Sequence, residues 1–209
     1  MRIAVFGAAG GTGQALVRQA LDRGDEVSAL VRTPGSLPIE HARLRVVAGD
    51  ATRDAAAVAE VIQGRDVVVS ALGRRNSFKS DQLMVRSVRA IVPAMERADV
   101  RRLILVSAFG VGETWRDAPL VPRIMYRVLL GDIFADKKAA EDEVRASGLD
   151  WTIVHPVLLT NGPRTGRYRV GGHLELAGVP KIARADVADF ILDEAGSNRY
   201  VRKAAAISY

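Results

Sequence analysis

The sequence predicts a doubly wound α/β domain, a parallel sheet with helices on both faces. Three observations predict it. Short apolar runs of strand length alternate with amphipathic stretches of helix length through the 209 residues, the first run opens into a glycine-rich turn, and glycines stand at the ends of the helical stretches. Parallel strands need a crossover of about a dozen residues, which a helix supplies.

Arg2 to Phe6 is apolar after its first residue and stops at Gly7, the pattern of a strand covered on both faces. Thr12 to Arg23 places Leu16, Val17, Ala20 and Leu21 on one helical face and stops at Gly24, which can take the left-handed conformation that closes a helix. Glu26 to Val31 and Leu44 to Ala48 read as strands two and three. Arg53 to Gln63 is an alanine-rich helix closed by Gly64, and Asp66 to Ala71, with its three consecutive valines, is strand four. Ser80 or Asp81 offers a capping oxygen to a helix that runs to about Ala98 and bends at Pro93. Arg101 to Ser107 is strand five, Phe134 to Ser147 a helix stopped by Gly148, and Trp151 to His155 strand six, ended by Pro156. Asp186 to Ala195 is the last helix and Ala204 to Ser208 a closing strand.

Two stretches, Gly110 to Asp132 and Thr160 to Ala183, follow neither period and are rich in glycine, proline and arginine. They come after strands five and six, so the pattern places them as small irregular segments on the carboxyl edge of the sheet, where such folds bind ligands. No linker or internal repeat interrupts the alternation, and residues 1–209 read as one domain.

Composition removes several classes of function. Hydrophobic residues make up 48% of the chain and the charged 26% are dispersed, which excludes a disordered protein. No apolar run approaches the roughly 18 residues that cross a bilayer, so no stable membrane insertion is expected, and the N-terminal residues lack a secretory cleavage pattern. With no cysteine, disulfides, thiolate metal sites and a cysteine nucleophile are excluded, in keeping with a cytoplasmic protein. His41, His155 and His173 are too far apart for a helix-borne metal pair, and no metal is expected. The net charge of +6 comes from arginines scattered through the chain, and with aromatics at 5% there is no platform for stacking bases, so nucleic acid is not expected as a partner. The expected partner is a small molecule, bound by a monomer or homodimer.

The segment Gly7-Ala8-Ala9-Gly10-Gly11-Thr12-Gly13-Gln14 lies between the first strand and the first helix. Its glycines at 7, 10 and 13 are spaced G-x-x-G-x-x-G: the first allows a tight turn, the second lets backbone N–H groups approach a pyrophosphate, and the third lets helix and strand pack closely. The helix N-terminus adds unpaired donors and a partial positive charge, so Gly7, Ala9, Gly10, Gly11, Thr12, Gly13 and Gln14 are assigned to a dinucleotide. A Walker-type loop is excluded, because no Gly-Lys-Ser/Thr follows. An acid at the tip of strand two would take the ribose hydroxyls of NAD, but Arg32 stands there, and its guanidinium fork favours the 2′-phosphate of NADP. Asp50 and Ala51 after strand three are placed to meet the adenine, and Ala71, Leu72, Gly73 and Arg75 after strand four lie on the same edge.

Together with Val31-Arg32, Gly49-Asp50, Ala71-Leu72-Gly73, Val106-Ser107-Ala108, Ser147-Gly148-Leu149-Asp150-Trp151-Thr152, Pro156, Thr165-Gly166-Arg167-Tyr168 and Ala185-Asp186-Val187-Ala188, this loop resembles the atypical short-chain dehydrogenases/reductases of the NAD(P)H-binding group. Within that group the chain most closely resembles the biliverdin-IXβ reductase/flavin reductase family, nearly end to end. The resemblance implies a Rossmann fold, NADP(H) as cofactor, Ser107 as the active-site serine beside the nicotinamide, and Pro156, Val157 and Leu158 as the wall next to it. Lys137 stands where the tyrosine-dependent enzymes carry the lysine of Tyr-x-x-x-Lys, with Glu141 one turn later, so Ser107 and Lys137 are the implied catalytic pair.

The sequence departs from that pattern in two places. Ile133 occupies the tyrosine position, and Tyr126, Tyr168 and Tyr200 are not followed by lysine four residues on. Carbonyl reduction thereby loses its general acid, whereas a conjugated acceptor can take a hydride with its proton drawn from solvent. His155 replaces the arginine that usually precedes the proline. The expected activity is NADPH-dependent hydride transfer to a flavin, quinone or similar planar acceptor, in a pocket formed by the two irregular segments, where Trp115, Tyr126, Phe134 and Tyr168 offer flat apolar surface. A non-catalytic NADP(H) redox sensor is the alternative; a sugar-nucleotide epimerase would need the tyrosine and a larger C-terminal domain. The stretch Leu120 to Leu130 is basic and amphipathic, suited to a lid or a subunit contact.

Overall fold

The computed structural model describes residues 1–73, 79–112, 120–176 and 178–209, the side chains of 120–130 excepted. Arg75 and Trp115 therefore lie outside the described residues, as does the side chain of Tyr126. Ten strands and five helices follow one another as β1 (Arg2–Phe6), α1 (Gly11–Asp22), β2 (Glu26–Val31), β3 (Leu44–Ala48), α2 (Ala55–Ile62), β4 (Val67–Ser70), α3 (Leu83–Arg97) and β5 (Arg102–Val106) among the described residues, and then α4 (Leu120–Ala146), β6 (Asp150–Pro156), β7 (Leu158–Thr160), β8 (Arg169–Gly171), β9 (Lys181–Ala183), α5 (Arg184–Ser197) and β10 (Lys203–Ser208).

The main sheet runs β3-β2-β1-β4-β5-β6-β10-β8, and every pair in it is parallel except β10 with β8. This is a Rossmann-type sheet, with the order reversing between β1 and β4. Alternate strand residues feed two separate cores. Ile3 and Val5 face the layer of α1 and α5, whereas Ala4 and Phe6 face the layer of α2, α3 and α4. Burial on both faces is why the central strands read as continuous apolar runs rather than as an alternation.

The structure extends two of the sequence-based expectations. The fourth helix begins at Leu120 rather than Phe134, so most of the stretch read as irregular is helical backbone. Pro122 falls in the first turn, where its missing N–H costs nothing, and Gly131 is tolerated in the interior at a cost of about 1 kcal/mol. In the second stretch, Thr160 to Ala183, β7 and β9 pair as a small parallel sheet and β8 joins the edge of the main one. Pairs only three residues long leave no periodicity to read.

The cap of α3 is also different. Gln82, in the left-handed conformation at φ 54°, occupies the capping position without a side-chain bond to the helix, and Ser80 Oγ accepts from Gln82 N, at 3.1 Å, rather than from an N–H of the helix itself among the described residues. The cap comes from α4, where the Asp136 carboxylate accepts from the backbone N–H of Met84 at 2.9 Å and of Val85 at 3.0 Å. Asp132, one turn earlier, accepts from Ser80 N at 2.5 Å. Pro93 lies inside α3, which continues to Arg97.

Candidate functional site

The turn after β1 is built on steric exclusion. Gly7 has φ +82°, and a Cβ there would lie 2.6 Å from the backbone carbonyl of Ala71, so β1 and β4 could not approach with any side chain present. A Cβ on Gly13 would lie 2.1 Å from Gly7 O, so α1 could not seat against the turn. The turn closes with Gly10 N donating to Gly7 O at 3.0 Å, and Gln14 Nε2 braces it by donating to Ala9 O at 3.0 Å. Helix α1 then starts at Gly11 with no side-chain cap and no acid in its first turn, which leaves its positive end open to an anion.

Around this turn lies a cleft of about 340 Å³ at the carboxyl ends of β1, β2, β3 and β4. Of the residues read from the sequence, Gly7, Ala9, Gly10, Arg32, Asp50, Ala51, Ala71, Leu72 and Gly73 line it. Gly11, Thr12, Gly13 and Gln14 form the first turn of α1 instead. Phe6, Leu30 and Leu83 complete the apolar wall and went unnoticed, because nothing in a buried strand residue or a helix start distinguishes lining from packing. Arg32 is exposed just beyond β2. The Asp50 carboxyl turns back on its own loop, accepting from Thr52 N at 2.8 Å and Thr52 Oγ1 at 2.7 Å, and these bonds, aided by Arg32 and Arg53, hold it below the usual carboxylate range.

Ser107, directly after β5, belongs to a second, deeper group. Its hydroxyl donates to Glu141 Oε1 at 2.5 Å, and the same oxygen lies 2.8 Å from His155 Nε2. All three residues are buried, Ser107 at 5% exposure, Glu141 at 1% and His155 at 0%. Among the described residues His155 Nδ1 and Glu141 Oε2 have no hydrogen-bond partner, and Arg145 Nη2 lies 3.8 Å from Oε2. Gly112 backs this carboxylate: a Cβ there would come within 3.1 Å of Oε2. Lys137, one turn before Glu141 on α4, is partly buried, and loss of hydration pushes its ammonium down to about 8 against the opposing pull of Glu141 and Asp136. The sequence singles out Ser107 and Lys137, whereas the bonds shown here join Ser107 to Glu141 and His155; the Glu141–His155 contact joins α4 to β6 and has no signature in spacing.

Beyond β6, Pro156 and Val157 are buried, whereas Leu158 opens β7 with 51% of its surface exposed. The chain from Arg164 to Tyr168 is held down by two acids of α5. Asp186 accepts from Thr165 N at 2.7 Å, Thr165 Oγ1 at 2.9 Å, Gly166 N at 2.9 Å and Tyr209 Oη at 2.7 Å. Burial works to raise this carboxyl, but the hydrogen bonds outweigh it and leave the group below its ordinary value. Asp189 receives Arg23, Arg164 and the Tyr168 hydroxyl, the last at 3.1 Å. Tyr168 stacks edge-on against Phe190 at 6.5 Å, so it is a packing residue of this anchor rather than a free flat surface. Phe134 is half-buried on α4, its ring 3.4 Å from where a Gly110 Cβ would stand.

A family model described as NAD(P)H-binding matches residues 7–197. The chain belongs to the NAD(P)H-binding family. As a member of this family it shares 32% identity over 180 residues with an uncharacterized chloroplastic protein of Arabidopsis thaliana, 79% of this chain aligning to 61% of that one, so it spans less than two thirds of the plant protein's length. A reductase of Aspergillus terreus, pytE, is 28% identical over 257 aligned positions covering 99% of this chain and 97% of the other. An anaerobilin reductase of Escherichia coli O157:H7 superposes with a TM-score of 0.82 over 99% of this chain and 96% of its own at 24% identity, which establishes the shared fold. The residues present in this NAD(P)H-binding protein fit a dinucleotide: the turn would be filled by any Cβ at Gly7 or Gly13, and the uncapped end of α1 supplies donors to a diphosphate.

Proposed function

We propose that the chain is an NADPH-dependent reductase of the cytoplasm that passes hydride to a flavin, quinone or similar planar acceptor. One observation carries the reading. Where the tyrosine-dependent enzymes place an acid beside serine and lysine, this chain has Ile133, and the proton of Ser107 is given to Glu141. The site therefore keeps the dinucleotide turn but, among the described residues, offers no phenol beside Ser107 to protonate a simple carbonyl. When bound, the nicotinamide supplies the hydride. Ser107 orients the ligand through the lone pairs of an oxygen whose proton is already committed. Lys137 places a titratable ammonium beside the same carboxylate, and Arg32 holds the 2′-phosphate through its guanidinium fork. The reductases among the relatives support this reading.

A second reading, a redox sensor that binds NADP(H) without turnover, is favoured by the burial of Ser107 and its engagement with Glu141. Parallel titrations with NADPH and NADH, for wild type and Arg32→Ala, followed by addition of FMN, separate the two. Preference for NADPH that collapses in the variant, with rapid oxidation on adding FMN, is the expected result. Tight binding without oxidation of the nucleotide by FMN, a quinone or a tetrapyrrole would move the assignment to the sensor, and equal affinity for the two nucleotides in wild type would remove the NADP assignment.

A further inference from the structure

Gly11 stands outside the G-x-x-G-x-x-G spacing, and its missing side chain has a different cause from those of Gly7 and Gly13. A Cβ at Gly11 would lie 2.7 Å from Arg184 Cδ, 3.0 Å from its Nε and 3.8 Å from its Cζ. The stem of Arg184, the first residue of α5, thus crosses directly over the first residue of α1. At its far end Nη1 donates to Asn161 Oδ1 at 2.7 Å, immediately after β7. One side chain bridges the dinucleotide turn and the start of the segment that follows β6.

The charge on this bridge is uncompensated. Arg23, Arg45, Arg89 and Arg102 are each paired with an acid, whereas among the described residues no carboxylate lies within ion-pair distance of Arg184. Its guanidinium sits beside the uncapped positive end of α1, and α1 has no acid in its first turn. Arg184 is itself the first residue of α5, whose one first-turn acid, Asp186, is occupied by Thr165, Gly166 and Tyr209. A guanidinium held beside the positive end of a helix is unfavourable on its own and becomes favourable once an anion lies between the two.

The geometry points to Arg184 as a diphosphate-binding residue of the dinucleotide site, which through Asn161 also ties the order of the acceptor-side segment to occupation of that site. Gly11 is glycine to give this side chain its berth. The inference rests on membership of the NAD(P)H-binding family and not on which acceptor is reduced.

Equilibrium titration with NADPH and with NADH, followed by nicotinamide fluorescence, tests it on wild type, Arg184→Met, Arg184→Gln and Arg184→Lys. Because the contact is to the diphosphate shared by both nucleotides, Arg184→Met is expected to weaken both by about tenfold, equivalent to about 1.4 kcal/mol, without changing their ratio. Arg184→Lys should recover part of that loss, and inorganic pyrophosphate should compete with NADPH in wild type but poorly in Arg184→Met. Arg184→Gln keeps a polar side chain without charge and gives the same reading if the methionine variant does not fold. For the tie to Asn161, NADPH should slow proteolysis between Asn161 and Tyr168 in wild type and not in Arg184→Met. Unchanged affinity for both nucleotides in the two neutral variants would overturn the diphosphate assignment, and protection that survives in Arg184→Met would overturn the coupling. A change confined to the NADPH-to-NADH ratio, the signature expected of Arg32→Ala, would also overturn the assignment to Arg184. Failure of wild type to prefer NADPH would touch only the proposed NADP specificity.

Discussion

Single atoms decide the dinucleotide turn. The Cβ of Gly13→Ala would stand 2.1 Å from Gly7 O, against 3.3 Å for Gly10→Ala, so the two substitutions should separate sharply. Gly13→Ala is expected to abolish nucleotide binding and to destabilise the fold by about 1–3 kcal/mol, as overpacking does, while Gly10→Ala weakens binding and leaves the denaturation midpoint close to wild type. Lys137 gives a pH-dependent prediction. Its folded-state value of about 8 lies below the ordinary 10.5, so between these the unfolded chain binds more protons and wild type gains stability as pH rises. Relative to Lys137→Met, wild type should therefore become more stable between about pH 8 and 10.5, read from paired urea midpoints, and a difference that stays flat would show that the ammonium is not desolvated. At this scale the sequence was legible where sterics force a residue type, as at Gly7 and Gly13. It was silent where a charge finds its neighbour through the fold, as with Arg184 over Gly11 or His155 against Glu141.

Elements were legible where their apolar faces are long enough to repeat. Strands β1 to β6 and helices α1, α2 and α5 lie within a few residues of the periodic pattern, while β7, β8 and β9, at three residues each, are too short to show one. The capping of α3 escaped for a related reason: its capping carboxylate is on another helix, where a local Ser/Asp signal cannot report it. Asp136→Asn keeps the shape of the side chain and removes the charge from two helix N–H contacts, so it should cost about 1 kcal/mol, and Asp136→Ala about 2 kcal/mol, in urea denaturation. Ser80→Ala, at the position the sequence suggested for the cap, should cost less than either. Asp186→Ala strands the donors of Thr165, Gly166 and Tyr209 and should cost about 3 kcal/mol while loosening the segment they hold.

Across the whole molecule, β5, β6, α5 and the turn into β10 meet at one buried ion pair. Arg102 Nη2 donates to Glu194 Oε1 at 2.8 Å and Nη1 to Asp150 O at 2.9 Å, while Tyr200 N donates to the same Glu194 oxygen at 2.8 Å. Burial pulls the Arg102 guanidinium down and Glu194 pulls it back, so the pair is stable only as a pair. Glu194→Ala should cost about 3–5 kcal/mol, whereas Arg102→Met with Glu194→Leu should cost much less than the sum of the single changes, a coupling that a double-mutant cycle reads directly. This pair lies toward the amino edge of the sheet, away from the turn at Gly7, so nucleotide affinity should be unmoved in whichever of these variants fold. The small sheet of β7 and β9 has a consequence for recombination. Its strands pair with each other, and among the described residues β9 is fastened to the end of β10 through Tyr209, whose N–H donates to Lys181 O at 3.2 Å and whose hydroxyl accepts from Ala183 N at 3.2 Å. The two strands bracket Asn161 to Pro180. A donor segment spliced in at these two strands would arrive with its junctions already closed. It would transplant successfully only if it carried equivalents of Thr165, Gly166 and Tyr168 for the acids of α5 and an edge strand able to run antiparallel to β10.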